Sequence, residues 1–170
     1  MKSTLLLALS LFITIISAAQ ANTADTAAQR LMKPLHFITG EWEGKGWMMM
    51  ADGKKHEFDQ TEKVQLKLEG TALLIEGKGR AGGAVIHDAM AVVIYDRQKQ
   101  HYSFRSYLFS GRSGEYKAEM IGDALYWYPN SNMRYIIRLN EKGQWHEIGE
   151  MNRNNEWFRF FEMTLDKKAG

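Results

Sequence analysis

An all-β fold is what this sequence predicts: an up-and-down antiparallel barrel of roughly ten strands preceded by a short helix. Three observations predict it. From Gly40 onward, runs of roughly eight to twelve residues rich in aromatic and β-branched types are separated by turn-forming clusters, the spacing of a sandwich or barrel. Several runs alternate apolar with polar residues, the period of a strand buried on one face. Every break is short enough for a hairpin, so sequence neighbours are expected to be antiparallel neighbours in space.

The first element is helical. Between Thr23 and Phe37 the chain is Ala-rich, with Leu31, Leu35 and Ile38 spaced to share a helical face. Pro34 falls inside that pattern and would remove a helical hydrogen bond, so the segment reads as a short helix or, instead, as two short turns or a helix starting later. The breaks that follow are Asp52-Gly53, Glu69-Gly70, Gly82-Gly83, Asp96-Arg97-Gln98, Gly111-Arg112-Ser113-Gly114, Gly122-Asp123, Pro129-Asn130-Ser131-Asn132, Lys142-Gly143 and Asn154-Asn155.

Alternation assigns the faces. The first strand places Trp42, Gly44, Gly46, Met48 and Met50 inward, and the second places Phe58, Gln60, Glu62, Val64, Leu66 and Leu68 inward. In the fifth, His101, Ser103, Arg105, Tyr107 and Phe109 alternate with Tyr102, Phe104, Ser106 and Leu108, and either set could face in. The eighth turns Met133, Tyr135, Ile137 and Leu139 inward; the last turns Trp157, Arg159, Phe161, Met163 and Leu165 inward. A flat meander would expose two edges, so closure into a barrel is preferred to a sandwich. At about ten strands the interior has room for side chains or one small ligand.

The chain of 170 residues opens on Lys2, an apolar run from Leu5 to Ile16, and Ala19-Gln20-Ala21. That layout predicts a signal peptide over 1–21, with an apolar run too short to span a bilayer. Residues 22–39 are then a helical segment closing the barrel, and 40–170 the barrel itself. The remaining length, about 150 residues, suits one domain. The predicted location is the periplasm or outside the cell. Without cysteine the fold uses no disulfide, and the sequence offers no lipid attachment point, so no membrane insertion is expected after cleavage. The formal net charge is +2, with 22 basic against 20 acidic residues and no basic cluster, which gives no case for nucleic acid as a partner.

The stretch Phe37-Ile38-Thr39-Gly40-Glu41-Trp42-Glu43-Gly44-Lys45-Gly46, a helix leading into G-x-W-x-G-x-G, resembles the calycin superfamily of lipocalin-like barrels. It is most similar to the bacterial domain-of-unknown-function group within it, as are Ile94-Tyr95-Asp96, the aromatic strand His101 to Phe109 and Trp127, and more distantly to nitrobindin-type barrels. The resemblance implies that an Arg from a late strand, here Arg159, packs across Trp42 as a cation over the ring. Independently of the family, Trp42 supplies a large inward surface, and Gly44 and Gly46 allow a sharp bend or a close backbone approach.

Polar residues at inward positions are the candidates for chemistry. Gln60 and Glu62 lie on the apolar face of the second strand, where a carboxylate must be paired, hydrated or protonated. Arg105 and Tyr107, if inward, would suit an acidic amphipathic ligand. The expected contact set is Trp42, Met48, Gln60, Glu62, Arg105, Tyr107, Tyr135, Arg159 and Phe161. The five histidines lack metal-ligand spacing, and Met48 with Met50 reads as core filling. His146, in mid-strand, is the candidate for a haem iron, but the nitrobindin branch takes its histidine near the C-terminus, where this chain has none. Gly77-Lys78-Gly79-Arg80-Ala81-Gly82-Gly83 lacks the ending of a phosphate loop and reads as a hairpin. No catalytic motif is present, and no cofactor is called for. The leading expectation is a barrel binding a small apolar or amphipathic molecule in a cavity of several hundred Å3. Against it stand a structural or interaction module with a filled barrel and outer aromatics such as Trp47, Phe158 and Phe160, and a haem-binding barrel.

Overall fold

The computed structural model describes residues 23–169. The expected signal peptide lies outside them. The Asp25 carboxylate accepts the backbone N–H of Ala27 at 2.9 Å and of Ala28 at 3.0 Å, capping α1 (Thr26–Met32). The α-helix then stops, and a 3-10 turn, Lys33–Ile38, carries Pro34 in its first turn, where a missing N–H has no partner to lose. The short N-terminal helix is present as expected, and Pro34 stands just after its α-helical part.

Ten strands follow: β1 (Gly40–Met49), β2 (Lys55–Lys67), β3 (Ala72–Ala81), β4 (Ala84–Asp96), β5 (His101–Leu108), β6 (Ser113–Ile121), β7 (Ala124–Asn130), β8 (Met133–Leu139), β9 (Trp145–Arg153) and β10 (Glu156–Lys167). Each is antiparallel to its neighbour in sequence, and β1 pairs with β10, so the sheet closes on itself. Closure leaves no unpaired edge along the wall. It depends on β1 lying very close to β10. A Cβ at Gly44 would overlap the Thr164 carbonyl oxygen, and one at Gly46 would crowd that of Glu162.

One end is sealed. Met32, Leu35 and Ile38 insert into it, fully buried, beside Trp42, Trp145 and Leu165. Each such aliphatic side chain contributes roughly 1.5–3 kcal/mol on burial. The Trp42 indole N–H donates to the Ile38 carbonyl at 2.9 Å, and its ring meets Trp145 edge-on at 5.9 Å. The Tyr102 hydroxyl donates to the Leu31 carbonyl at 2.8 Å, and Arg97, in the β4–β5 turn, pairs with Asp25 at 2.6 Å. The helical segment is therefore bolted to the barrel through packing, hydrogen bonds and an ion pair.

Alternation predicts the inward faces well until a strand carries an extra residue. In β2, Phe58, Gln60, Glu62 and Val64 are buried as expected, but Leu66 and Leu68 are exposed because the chain passes the sealed end and leaves the sheet through the 3-10 turn Leu68–Gly70. In β10 the register shifts between Arg159 and Phe161, which pair with Glu150 and Gly149, so Phe160 is a bulge residue. Beyond it the phase inverts. Phe161, Met163 and Leu165 face in, but Trp157 and Arg159 face out, contrary to expectation.

Candidate functional site

Above the Trp42–Trp145 floor, the half of the barrel away from the helix encloses a cavity of about 320 Å3. Sequence makes this half hollow by placing small residues at inward positions. Gly77, Ala89 and Ala91 line it on β3 and β4. Gly77 is required where it stands: a Cβ there would lie 2.5 Å from Glu62 Oε1, in space the carboxyl occupies.

The far wall is aromatic. Phe104 stacks on Trp127 at 4.7 Å with planes 1° apart, and Trp127 on Tyr135 at 4.4 Å and 6°. Tyr135 then meets Phe161 edge-on at 5.6 Å, and Phe161 stacks on Phe58 at 5.8 Å. These rings come from five strands, so the wall is a product of the closed sheet and of no single element. Offset and edge contacts of this kind contribute about 0.5–1.5 kcal/mol each beyond area burial and fix ring orientation.

Two carboxyls sit at the base of the cavity. Glu62 on β2 and Glu147 on β9 are each less than a tenth exposed. The Gln60 amide donates to Glu62 Oε1 at 2.6 Å, and the Trp145 indole N–H donates to Glu147 Oε2 at 3.2 Å. Among the described residues, no Lys or Arg lines the cavity. Burial pushes Glu62 up to about 7, and burial together with the neighbouring Glu62 charge pushes Glu147 up to about 8. Burial also drives the Tyr135 phenol far above its usual range and lowers the proton affinity of His87 at the cavity wall. Near neutral pH the base of the cavity therefore retains proton occupancy that ordinary carboxylates would have lost.

Three bulges shape the open end. Register shifts occur between Gly79 and Arg80, between Trp127 and Asn130, and between Arg159 and Phe161, each near a hairpin turn opposite the sealed end. Bulges at a barrel rim re-aim side chains and widen the local twist. One consequence is that Pro129 and Met133 line the cavity mouth.

Of the residues expected to form the site, Met48, Gln60, Glu62, Tyr135 and Phe161 come together around the cavity. Trp42 belongs to the floor beneath it. Arg105 and Tyr107 lie outside, because the inward set of β5 is Tyr102, Phe104, Ser106 and Leu108; Arg105 pairs on the surface with Glu115 at 3.2 Å. Arg159 is also outside, held by Glu162 at 3.1 Å, and the cation over Trp42 is Lys167, 5.2 Å from the ring centre. His146 sits on the outer wall with Nε2 2.9 Å from Glu162, whereas His87 is the histidine that lines the cavity. Glu147, Trp127 and Phe104 are the main residues the sequence reading missed. Trp145, Glu147 and Gly149 alternate along one strand, and that period, applied to β9, would have paired Glu147 with the buried tryptophan.

No protein-family model and no curated protein matches this chain. Solved structures do. The crystal structure of Rv2717c from M. tuberculosis matches with a TM-score of 0.58 at 13% identity, covering 84% of this chain and 98% of that one. The S-type phycobiliprotein lyase CPES from Guillardia theta matches with a TM-score of 0.53 at 8% identity, covering 87% and 99%. At such identities the likeness establishes the fold, a lipocalin-like β-barrel.

Proposed function

We propose that this protein is an exported barrel that takes up a small, largely apolar or aromatic molecule with one polar end, through the mouth opposite the helical plug. The observation that carries the reading is the division of the interior: one half is filled by the plug and its buried core, and the other holds a cavity of about 320 Å3, within the size range of small-molecule sites. A barrel serving only as scaffold would gain stability by filling that half. The rings of Phe104, Trp127, Tyr135 and Phe161 offer flat apolar surface, while Gln60, Glu62 and Glu147 offer hydrogen bonds at the deep end. We place the chain with the exported bacterial lipocalin-like group and not with the nitrobindin branch, since β10 contains no histidine.

The test has two parts. The mature protein, recovered from the exported fraction, is expected to begin after Ala21 and to carry a co-purifying small molecule in native mass spectrometry. A neutral aromatic probe, N-phenyl-1-naphthylamine, should gain fluorescence with the wild type and lose that gain in Ala89→Trp, which fills the cavity. A folded protein that neither carries a mass nor binds the probe would refute the reading.

A further inference from the structure

We propose that the cavity selects an organic cation, a small aromatic or aliphatic amine whose ammonium group seats against Glu62 and Glu147 while its apolar body lies along the Trp127–Tyr135–Phe161 wall. The inference rests on the reading of the cavity as a ligand site and adds the ligand's charge.

Three features converge on it. First, the charge available to the cavity is of one sign. Glu62 and Glu147 face it from β2 and β9; the other titratable groups that do so are His87 on β4, Tyr116 on β6 and Tyr135 on β8. The walls given by β1, β3, β5, β7 and β10 add none. An anionic ligand would find no Lys or Arg among the described residues to answer its charge, whereas a cation finds two carboxyls able to become its counter-ions.

Second, Glu62 has an unused acceptor. The Gln60 amide occupies Oε1, while Oε2 takes no hydrogen bond from the described residues, yet no wholly buried side-chain atom lacks a partner, so this oxygen opens onto the cavity. The residue as a whole is 8% exposed. A purely apolar cargo would leave that oxygen without hydration or a partner, which is costly for a buried polar atom.

Third, the wall beside the carboxyls is aromatic and suits the apolar body of such an amine. Trp127 is stacked on Phe104 and on Tyr135, so the rings are held in place beside the carboxyls, and the Trp127 indole also acts on Glu147. The carboxyls discriminate an amine from an alcohol of the same shape; the aromatic wall alone would not do so strongly.

Binding then displaces a proton. The empty pair holds protons near neutrality, so an incoming ammonium ion, which keeps its own three N–H bonds, drives one carboxyl to give its proton to solvent. No covalent bond is made or broken in the ligand.

Three probes of one shape test this by calorimetry: 1-naphthylmethylamine, 1-naphthalenemethanol and 1-naphthoate. At pH 8 the amine is expected to bind at least tenfold more tightly than the alcohol, with naphthoate weakest. Amine affinity should fall from pH 8 to pH 6, with proton release shown by heats that differ between buffers of different ionisation enthalpy. In the double variant Glu62→Gln, Glu147→Gln, checked by circular dichroism for folding, the amine should lose its advantage while the alcohol still binds. The wild-type ranking stands as a test even if the variant does not fold. Alcohol or naphthoate binding as tightly as the amine would overturn the charge assignment and leave the cavity reading intact. Failure of all three probes to bind would overturn both.

Discussion

At the scale of single residues, Glu62 and Glu147 tie the site to the stability of the whole chain. In the unfolded chain each ionises near the ordinary 4.5; folded, they ionise near 7 and 8. Between those limits the folded state keeps protons that the unfolded state has lost, so stability falls as pH rises from about 4.5 through 8. For Glu62 alone the shift corresponds to roughly 3 kcal/mol once both states have titrated. Other carboxyls with shifted affinities, Asp25, Asp52, Asp96, Glu115, Glu119 and Glu162, are shifted downward, so they are ionised in both states between pH 6.5 and 8.5 and do not shape the profile there. His87 has the opposite sign, its lowered affinity costing stability only below about 6.5. Urea unfolding should therefore show the wild type weaker at pH 8.5 than at pH 6.5, and Glu62→Gln or Glu147→Gln should flatten the profile and raise the midpoint at pH 8.5. A wild-type profile that is level or rises over that range contradicts the assignment. Glu62 was legible in the sequence because β2 alternates without interruption. Glu147 was harder to see, because β9 reads His-Glu-Ile-Gly-Glu, polar on both faces, and only its period of two with Trp145 marks which carboxyl is enclosed.

At the scale of elements, what the sequence concealed was phase. All ten strands and their nine turns could be read from turn-forming clusters and aromatic runs, since those signals are local. Which face points inward is local only where one face is plainly polar. In β5 both faces carry aromatics, and the choice is made by Glu115 on β6, which stands opposite Arg105 outside the barrel. In β10 aromatic residues at 157, 158, 160 and 161 make the two phases equivalent, and no glycine marks the bulge at Phe160. The outward turn of Trp157 is held from β8. Arg134 lies 4.0 Å over the Trp157 ring and pairs with Glu150 at 2.8 Å, both partly shielded from solvent. Arg134→Ala removes the ring contact, the ion pair and the packing of the Arg stem together, and is expected to destabilise the barrel by about 1–2 kcal/mol. Its fold and its affinity for the cavity probe should not change, because all three groups lie on the outer wall. A lost probe signal in a folded Arg134→Ala protein would show that β8 and β10 transmit strain to the cavity.

At the scale of the molecule, the barrel separates its plugged core from its cavity along its own axis. The sealed half contains the helical plug and the two buried tryptophans. The open half contains the bulges, Gly77 and the cavity. Leu35 and Met133 sample the two ends. Leu35 is wholly buried under the floor, so Leu35→Ala should cost about 2–5 kcal/mol as the plug loses its packing, with probe affinity in the protein that remains folded within about twofold of wild type. Met133 stands partly exposed at the mouth beside space that is already empty, so its truncation leaves little new cavity. Met133→Ala should cost under about 1 kcal/mol yet alter probe affinity severalfold. Urea midpoints and probe titrations on the same two variants separate these outcomes. If both variants lose stability and affinity in parallel, the interior behaves as one cooperative core, and the hollow half is not free to serve a ligand independently of the fold.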